Sequence, residues 1–390
     1  VLGNPNHPEY GVATIPFPVP HDQYAHCMEL LEALEIGDAV KTDCKVEKID
    51  SFYTVLKRAE MLTVNVEELN YLAKRLDSFD TGEAAQFQAM AHKLELFELK
   101  DLINLTFCCQ QATVITDFSD LAAIGRDHYM NLHGGCAKTE ELDALDSVET
   151  ARRLIESGSG TITPYGVVYD NSMELEQIYD GRFFPCYYYE PNAITVAVTS
   201  KAEPEDTEHI TWLFLPMVQE EIDRALLRGG ITDPSEIRLS LEDSWLPHEV
   251  LDLLDMDHVD ISELNALVQA LDEFSDMSIR KYAAAAVMAR PHTTEQAKHL
   301  AENLDLFDFA PSASTPEEYG KYMIQKSGHF DYDENLDAFY DYEKYGTERM
   351  NAEDGMFTDR GYIAYKGYIS MEEVMNGSQS SHMVMGGLSR

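Results

Sequence analysis

Two hydrophobic periods alternate along the chain, and they divide it into short segments. In the second half, "ITVAVTS" (194–200) and "HITWLFLP" (209–216) are β-rich runs on either side of the polar loop "KAEPEDTE", a pattern that predicts a hairpin. "VQEEIDRALLRGG" (218–230) places Ile222, Ala225 and Leu226 at helical spacing and stops at Gly229-Gly230. "IRLSLED" (237–243) alternates as a third strand. Helical spacing then dominates from Ser262 to about Lys326, punctuated by Pro291, Pro311 and Pro316. "DYDENLDAFYDYEKYG" (331–346) reads as one more helix, with Leu336, Phe339 and Tyr340 inward and Asp333, Asp337 and Asp341 stacked four apart. "GMFTDRGYIAYKGYIS" (355–370) closes as a turn-linked pair of strands. The first half follows the same order: a strand near Ile15, a helix through "CMELLEAL" (27–34), helices from Ser51 to Phe107 and β runs in "TITPYGVVY" (161–169).

That likeness of order extends to the residues. "EELNYLAKRLDSF" (67–79) aligns with "SELNALVQALDEF" (262–274) at a shift of 195, half the chain. The same shift pairs Gly125-Arg126 with Gly320-Lys321, and Gly160, Thr163 and Gly166 with Gly355, Thr358 and Gly361. We read two homologous halves: 1–170, a connector at 171–193, and 194–370, followed by a tail at 371–390. The second half divides into a sheet and helix (194–258), a helical middle (259–327) and an acidic helix with a hairpin (328–370). The fold class expected is α+β, as an elongated chain of small subdomains.

Charge changes the picture. The chain has 70 acidic and 29 basic side chains, a formal charge of −41, shared between residues 1–195 (−18) and 196–390 (−23). With 44% hydrophobic residues it can still build cores, which sets it apart from a disordered acidic tail. Self-repulsion of this size disfavours a compact body, repels nucleic acid and anionic membranes, and attracts basic surfaces. A halophilic globular protein would share the composition. The cysteines (Cys27, Cys44, Cys108, Cys109, Cys136, Cys186) lack CxxC spacing and read as reduced thiols of a cytosolic protein. No apolar run approaches eighteen residues, so neither a membrane span nor a signal sequence is expected.

Catalytic and metal chemistry find little support. A calcium loop starting at Asp331 needs glycine at its sixth position and glutamate at its twelfth; these are Leu336 and Tyr342. His128, His133 and Cys136 in "RDHYMNLHGGC" lack a partner cluster for zinc, and the segment reads as a helix end followed by a glycine turn. A nucleophilic Cys136 with His133 as base is the enzyme alternative. "HEVLDLLDMDH" (248–258) has Asp252 where HExxH requires its second histidine, and "GSG" (158–160) lacks the Lys-Ser/Thr of a phosphate loop. The tyrosines interleaved in 331–346 would stack bases in a basic chain, but not in this one. No cofactor and no metal are expected, and no enzyme activity.

One function makes use of the charge. Duplex DNA carries about one negative charge per 1.7 Å of axis, and rows of Asp and Glu on a rigid scaffold approximate that ladder. The segments "SELNALVQALDEF", "TPEEYGKYMIQKSGHFDYDENLDAFYDYEKYGTERM" and "GMFTDRGYIAYKG" resemble the ArdA antirestriction family. The family pattern is a first sheet with W-x-x-x-P (Trp212 to Pro216), an ELN-initiated helical middle (Glu263-Leu264-Asn265) and an acidic helix ending D-Y-x-x-Y-G (Asp341 to Gly346). The match covers about 194–370; the first half keeps Glu68-Leu69-Asn70 but has "DSVETA" (146–151) in place of D-Y-x-x-Y-G. The resemblance implies an elongated, dimeric DNA mimic of three subdomains. It would block the DNA-binding groove of type I restriction–modification enzymes in the bacterial cytoplasm, and such proteins are carried by mobile elements. The two halves here would form a single-chain pseudo-dimer, with a homodimer as the alternative. The carboxylates carried over are Asp331, Asp333, Glu334, Asp337, Asp341 and Glu343, then Glu317, Glu318 and Asp305. Another DNA-binding defence enzyme is the alternative target.

Overall fold

A computed structural model describes residues 1–201, 208–254, 258–311 and 313–377 of the chain. The fold is mixed α+β, and it separates into two compact units. Unit 1 comprises Val1–Pro191 with Thr207–Trp212 and Val218–Thr232; unit 2 comprises Asn192–Asp206, Leu213–Met217 and Asp233–Arg390.

Unit 1 opens with four short antiparallel strands, β1 (Leu2–Gly3), β2 (Val12–Ala13), β3 (Cys44–Val46) and β4 (Thr63–Val64), in the order β2-β1-β3-β4. Helix α1 (Tyr24–Glu32) buries Tyr24, Cys27, Met28 and Leu31, the i, i+3, i+4, i+7 stripe of an amphipathic helix. Helices α2 (Val66–Asp77), α3 (Thr81–Lys93) and α4 (Leu99–Leu105) form the helical middle. Leu72, Leu76, Phe87, Met90, Leu102 and Ile103 lie in the core of this unit, each contributing about 1.5–3 kcal/mol through burial. A third module follows: β5 (Thr113–Ile115), α5 (Leu121–Leu132), α6 (Thr139–Ala144), α7 (Ser147–Glu156) and a hairpin of β6 (Thr161–Thr163) and β7 (Gly166–Tyr169), with strand order β5-β7-β6.

Helix α8 (Gln219–Arg228) completes unit 1 although it comes from the second half of the sequence. Arg228, 5% exposed, donates to Ala39 O (3.0 Å), Asn65 Oδ1 (2.9 Å), Arg182 O (2.9 Å) and the Tyr179 hydroxyl, and its guanidinium lies 4.4 Å from the Phe184 ring. Arg224 pairs with Glu67 and donates to Gly37 O at 2.8 Å. Buried charges are tolerated only when their donors are used, and here they are.

Strands β8 (Ile194–Ser200), β9 (Thr211–Leu215, of which Leu213–Leu215 falls in unit 2) and β10 (Ile237–Ser244) form the sheet that opens unit 2, in the order β10-β8-β9. Helices α9 (His248–Leu251), α10 (Ile261–Leu271), α11 (Asp276–Ala289) and α12 (Thr294–Glu302) follow. The third module holds β11 (Phe307–Pro311), α13 (Pro316–Gln325), α14 (Tyr342–Ala352) and the hairpin β12 (Asp354–Thr358) and β13 (Gly361–Tyr365), in the order β11-β13-β12. A short α15 (Met371–Met375) packs on α12, with His299 Nδ1 2.9 Å from Met375 O.

The two third modules match in register. The pairs Thr113↔Tyr169 and Ile162↔Val167 recur 195 residues later as Asp308↔Ala364 and Phe357↔Tyr362. Thr163 Oγ1 donates to Gly166 O at 2.8 Å, and Thr358 Oγ1 to Gly361 O at 2.8 Å. A Cβ on Gly125 would stand 1.8 Å from Ser147 O, and one on Gly320 would stand 2.1 Å from Tyr342 O, so both helix pairs cross at a glycine. In the helical middles, Asn65 and Asp260 cap α2 and α10 with their side chains, and the edge-on pair Phe79–Phe87 is answered by Phe274–Tyr282. The ELN asparagines are structural. Asn70 Oδ1 accepts from Val19 N at 2.8 Å and Asn265 Oδ1 from Met217 N at 2.9 Å, each partner following a cis proline. The hairpin turns are tied down at matching positions by different chemistry: Thr54 to Tyr165 (2.9 Å) in unit 1, and a two-pronged Arg360–Glu249 pair (2.6 and 3.1 Å) in unit 2.

Three expectations are corrected. The helical run from Ser262 to Lys326 is broken by β11, where Phe307, Asp308 and Phe309 alternate as an edge partner of β13. The strand expected near Ile15 is β2, ending at Ala13. The continuous acidic helix over 331–346 does not form. Residues Glu334–Phe339 make a 3₁₀ turn and α14 begins at Tyr342, so Leu336 (48% exposed) and Phe339 (84%) point outward. The loop between β8 and β9, at 202–207, lies outside the described residues, as does the tail from 378 onward.

Candidate functional site

The broken helix has a cause in its side chains. Asp333 Oδ1 accepts from Asn335 N at 2.9 Å, and Asp341 Oδ1 accepts from Lys344 N at 3.0 Å, so each starts a new helical turn. Between them Asp337 Oδ1 accepts from the hydroxyls of Tyr332 (2.7 Å) and Tyr342 (2.5 Å) and from Gln325 Nε2 (2.9 Å). On a continuous helix, residues five apart lie about 140° apart around the axis. Neither tyrosine could then reach Asp337, so three hydrogen bonds favour the fold-back over the helix.

The remaining carboxylates sit at helix starts or on turns. Glu317 and Glu318 occupy the first turn of α13, with Thr315 as its cap. Glu318 Oε2 accepts from Ser314 N (2.8 Å) and Ser314 Oγ (2.7 Å), and these bonds hold its carboxyl below the ordinary glutamate range. Glu343 lies in the first turn of α14. Asp305 lies in the 3₁₀ turn Leu304–Leu306 that leads into β11. Asp305, Glu317, Glu318, Asp331, Asp333, Glu334, Asp341 and Glu343 are exposed, and Asp337 is half-buried. Hydrogen bonds from Tyr342 first, then Tyr332, hold Asp337 below the ordinary aspartate range, and the bond to Asp337 correspondingly raises Tyr332.

Helix packing brings these groups together. A Cβ on Gly346 would stand 1.8 Å from Pro316 O, while Gly320 abuts Tyr342 O, so α13 and α14 run antiparallel in backbone contact. Pro316 is therefore beside Gly346, four residues and about 6 Å of helix axis from Tyr342. The acidic start of α13 (Glu317, Glu318) and that of α14 (Asp341, Glu343) consequently belong to one tightly built helix pair. Each carboxylate at a helix start meets the positive end of the helix dipole, which offsets repulsion by about 0.3–1 kcal/mol. Asp333, Asp337, Asp341 and Glu318 are also fixed in direction by local hydrogen bonds. The arrangement holds preset anionic groups at the surface, a geometry complementary to cations.

The matching segment of unit 1 is acidic at other positions. Asp146 caps α7 as Asp341 caps α14, with Glu149 N donating to it at 3.0 Å. Glu140, Glu141 and Asp143 on α6 are exposed. "DSVETA" therefore starts the same helix as D-Y-x-x-Y-G does, without its tyrosines.

The histidine and cysteine candidates do not assemble a centre. His128 Nδ1 lies 2.9 Å from Thr113 Oγ1, and His133 Nδ1 lies 2.7 Å from Tyr129 O at the helix end, before Gly134 and Gly135 with φ of 66° and 80°. Among the described residues no group of three or more His, Cys, Asp or Glu is placed to hold a metal ion. None of the described helices is long and apolar enough to cross a membrane. None of the six cysteines forms a disulfide. Sequence reasoning missed the cluster of Gln325, Tyr332 and Tyr342 around Asp337, because its members come from three local structures.

Residues 207–364 match the family model of antirestriction protein (ArdA), and no curated protein matches the chain. The matched span contains Trp212, the ELN asparagine Asn265, the glycine-crossed helix pair and all nine carboxylates.

Proposed function

From the ArdA-type segment at residues 207–364, we propose that this chain is an antirestriction protein that acts as a DNA mimic. It occupies the DNA-binding groove of type I restriction–modification enzymes in the bacterial cytoplasm, performs no catalysis of its own and travels on a mobile element. The observation that carries the reading is that eight of nine carboxylates in the matched module stand exposed, four of them (Glu317, Glu318, Asp341 and Glu343) at the starts of a helix pair whose backbones touch. Such a face is rigid and anionic, and binding it loses little conformational entropy. The target of a mimic is a groove lined by lysine and arginine, and complementary potential steers the encounter. The matching register of the third modules, together with the acidic α6 and the capped α7, supports the first half as a second module of this kind. We infer that the chain works as a monomer, one polypeptide doing the work of a family dimer.

The test is competition. The purified chain should displace a fluorescent duplex from a type I methyltransferase core, with an apparent affinity that falls steeply between about 50 and 200 mM salt. Absence of displacement at every salt concentration overturns the reading.

A further inference from the structure

Leu336 and Phe339 are out of place on a surface that only imitates phosphates. Phe339 is 84% exposed and Leu336 48%, and both lie in the turn Glu334–Phe339 between the exposed carboxylates Asp333 and Asp341. Singly exposed apolar residues are ordinary, but two that share one turn inside an acidic segment invite a reason. The fold does not supply one. The matching turn of unit 1, Thr139–Ala144, is built at the same place in the same module, and there the equivalents 195 residues earlier are Glu141 and Ala144. A helical turn thus forms at this place in unit 1 without apolar side chains at both positions.

We propose that Leu336 and Phe339 form an apolar anchor that seats in a non-polar recess among the cations of the target's DNA-binding groove. The inference rests on the antirestriction reading above and adds to it a contact that DNA does not make. The flanking charge selects the occupant. The exposed carboxylates Asp333, Glu334, Asp341 and Glu343 flank the anchor in sequence, so a second copy of this chain, itself at −41, would be repelled, whereas a basic protein surface satisfies both halves of the patch. Apolar burial is insensitive to the salt that weakens ion pairing. The anchor therefore gives the complex a salt-resistant component.

The experiment grafts the unit 1 residues onto unit 2 as L336E/F339A. A purely electrostatic mimic should gain affinity from the added carboxylate. The anchor predicts the opposite: in the duplex-displacement assay, affinity for the methyltransferase core falls roughly tenfold or more, and the loss persists at high salt. F339L should retain most of the wild-type affinity, and urea midpoints should confirm that both variants are folded. Equal or tighter binding by the graft, with the wild type active, overturns the anchor alone. A wild type that displaces no DNA overturns the antirestriction reading and the anchor with it. A wild-type dimer that the graft converts to monomers in sedimentation assigns the patch to self-association and also overturns the proposal.

Discussion

Asp337 illustrates how single residues divide the labour of this surface. Its three hydrogen bonds hold the fold-back and keep the carboxylate ionised. Because its folded value lies below the aspartate reference of 3.8, the unfolded chain takes up the proton first as pH falls. The stabilisation is complete above that reference and disappears as pH drops through the lower, folded value. The urea midpoint of the wild type should therefore fall between about pH 5 and pH 2, and Asp337→Asn should flatten that part of the profile. An unchanged profile would mean the cluster does not hold the turn. Exposure of the carboxylates was legible in the sequence, since so many acids cannot be buried. Their partners were not, because Gln325 and Tyr342 approach Asp337 only after the chain has folded back.

At the scale of elements, the glycine crossings carry the geometry. Gly320 and Gly346 let α13 and α14 meet backbone to backbone, which any side chain would prevent. Gly346→Ala would push a methyl against Pro316 O, at 1.8 Å without relaxation, and should lower stability by about 1–3 kcal/mol or more. Chemical denaturation measures this, and a change within error would show that the helices can part freely. Element types were read well where the period was long and the caps explicit, as in α8, α10 and the β12–β13 hairpin. The misreadings share one cause: short-range signals that compete. "FDFAP" alternates as a strand, yet its five residues sit between helical patterns and end in Pro311. Asp333, Asp337 and Asp341 have helical spacing, yet aspartate is a better cap than helix interior residue, and two of the three act as caps.

Over the whole molecule, charge acts collectively. One exposed carboxylate contributes under about 1 kcal/mol, so Asp331→Asn, Glu334→Gln, Glu317→Gln, Glu343→Gln or Asp305→Asn alone should change affinity for the methyltransferase core less than about fivefold. All five together should remove most of the binding and flatten its salt dependence. A single substitution with the full effect would point instead to one specific ion pair. The ArdA match over 207–364 and the register shared by the two third modules belong to this scale too, and one shift of 195 residues aligns several regions of the sequence at once.

Helix α8 makes unit 1 depend on a segment from the second half of the sequence. Its arginines satisfy Glu67, the cap oxygen of Asn65 and the carbonyls of Gly37 and Ala39, all groups from the first half of the sequence. Severing the chain at the seam near residue 191 would orphan those acceptors and strip a flank from the amino-terminal body.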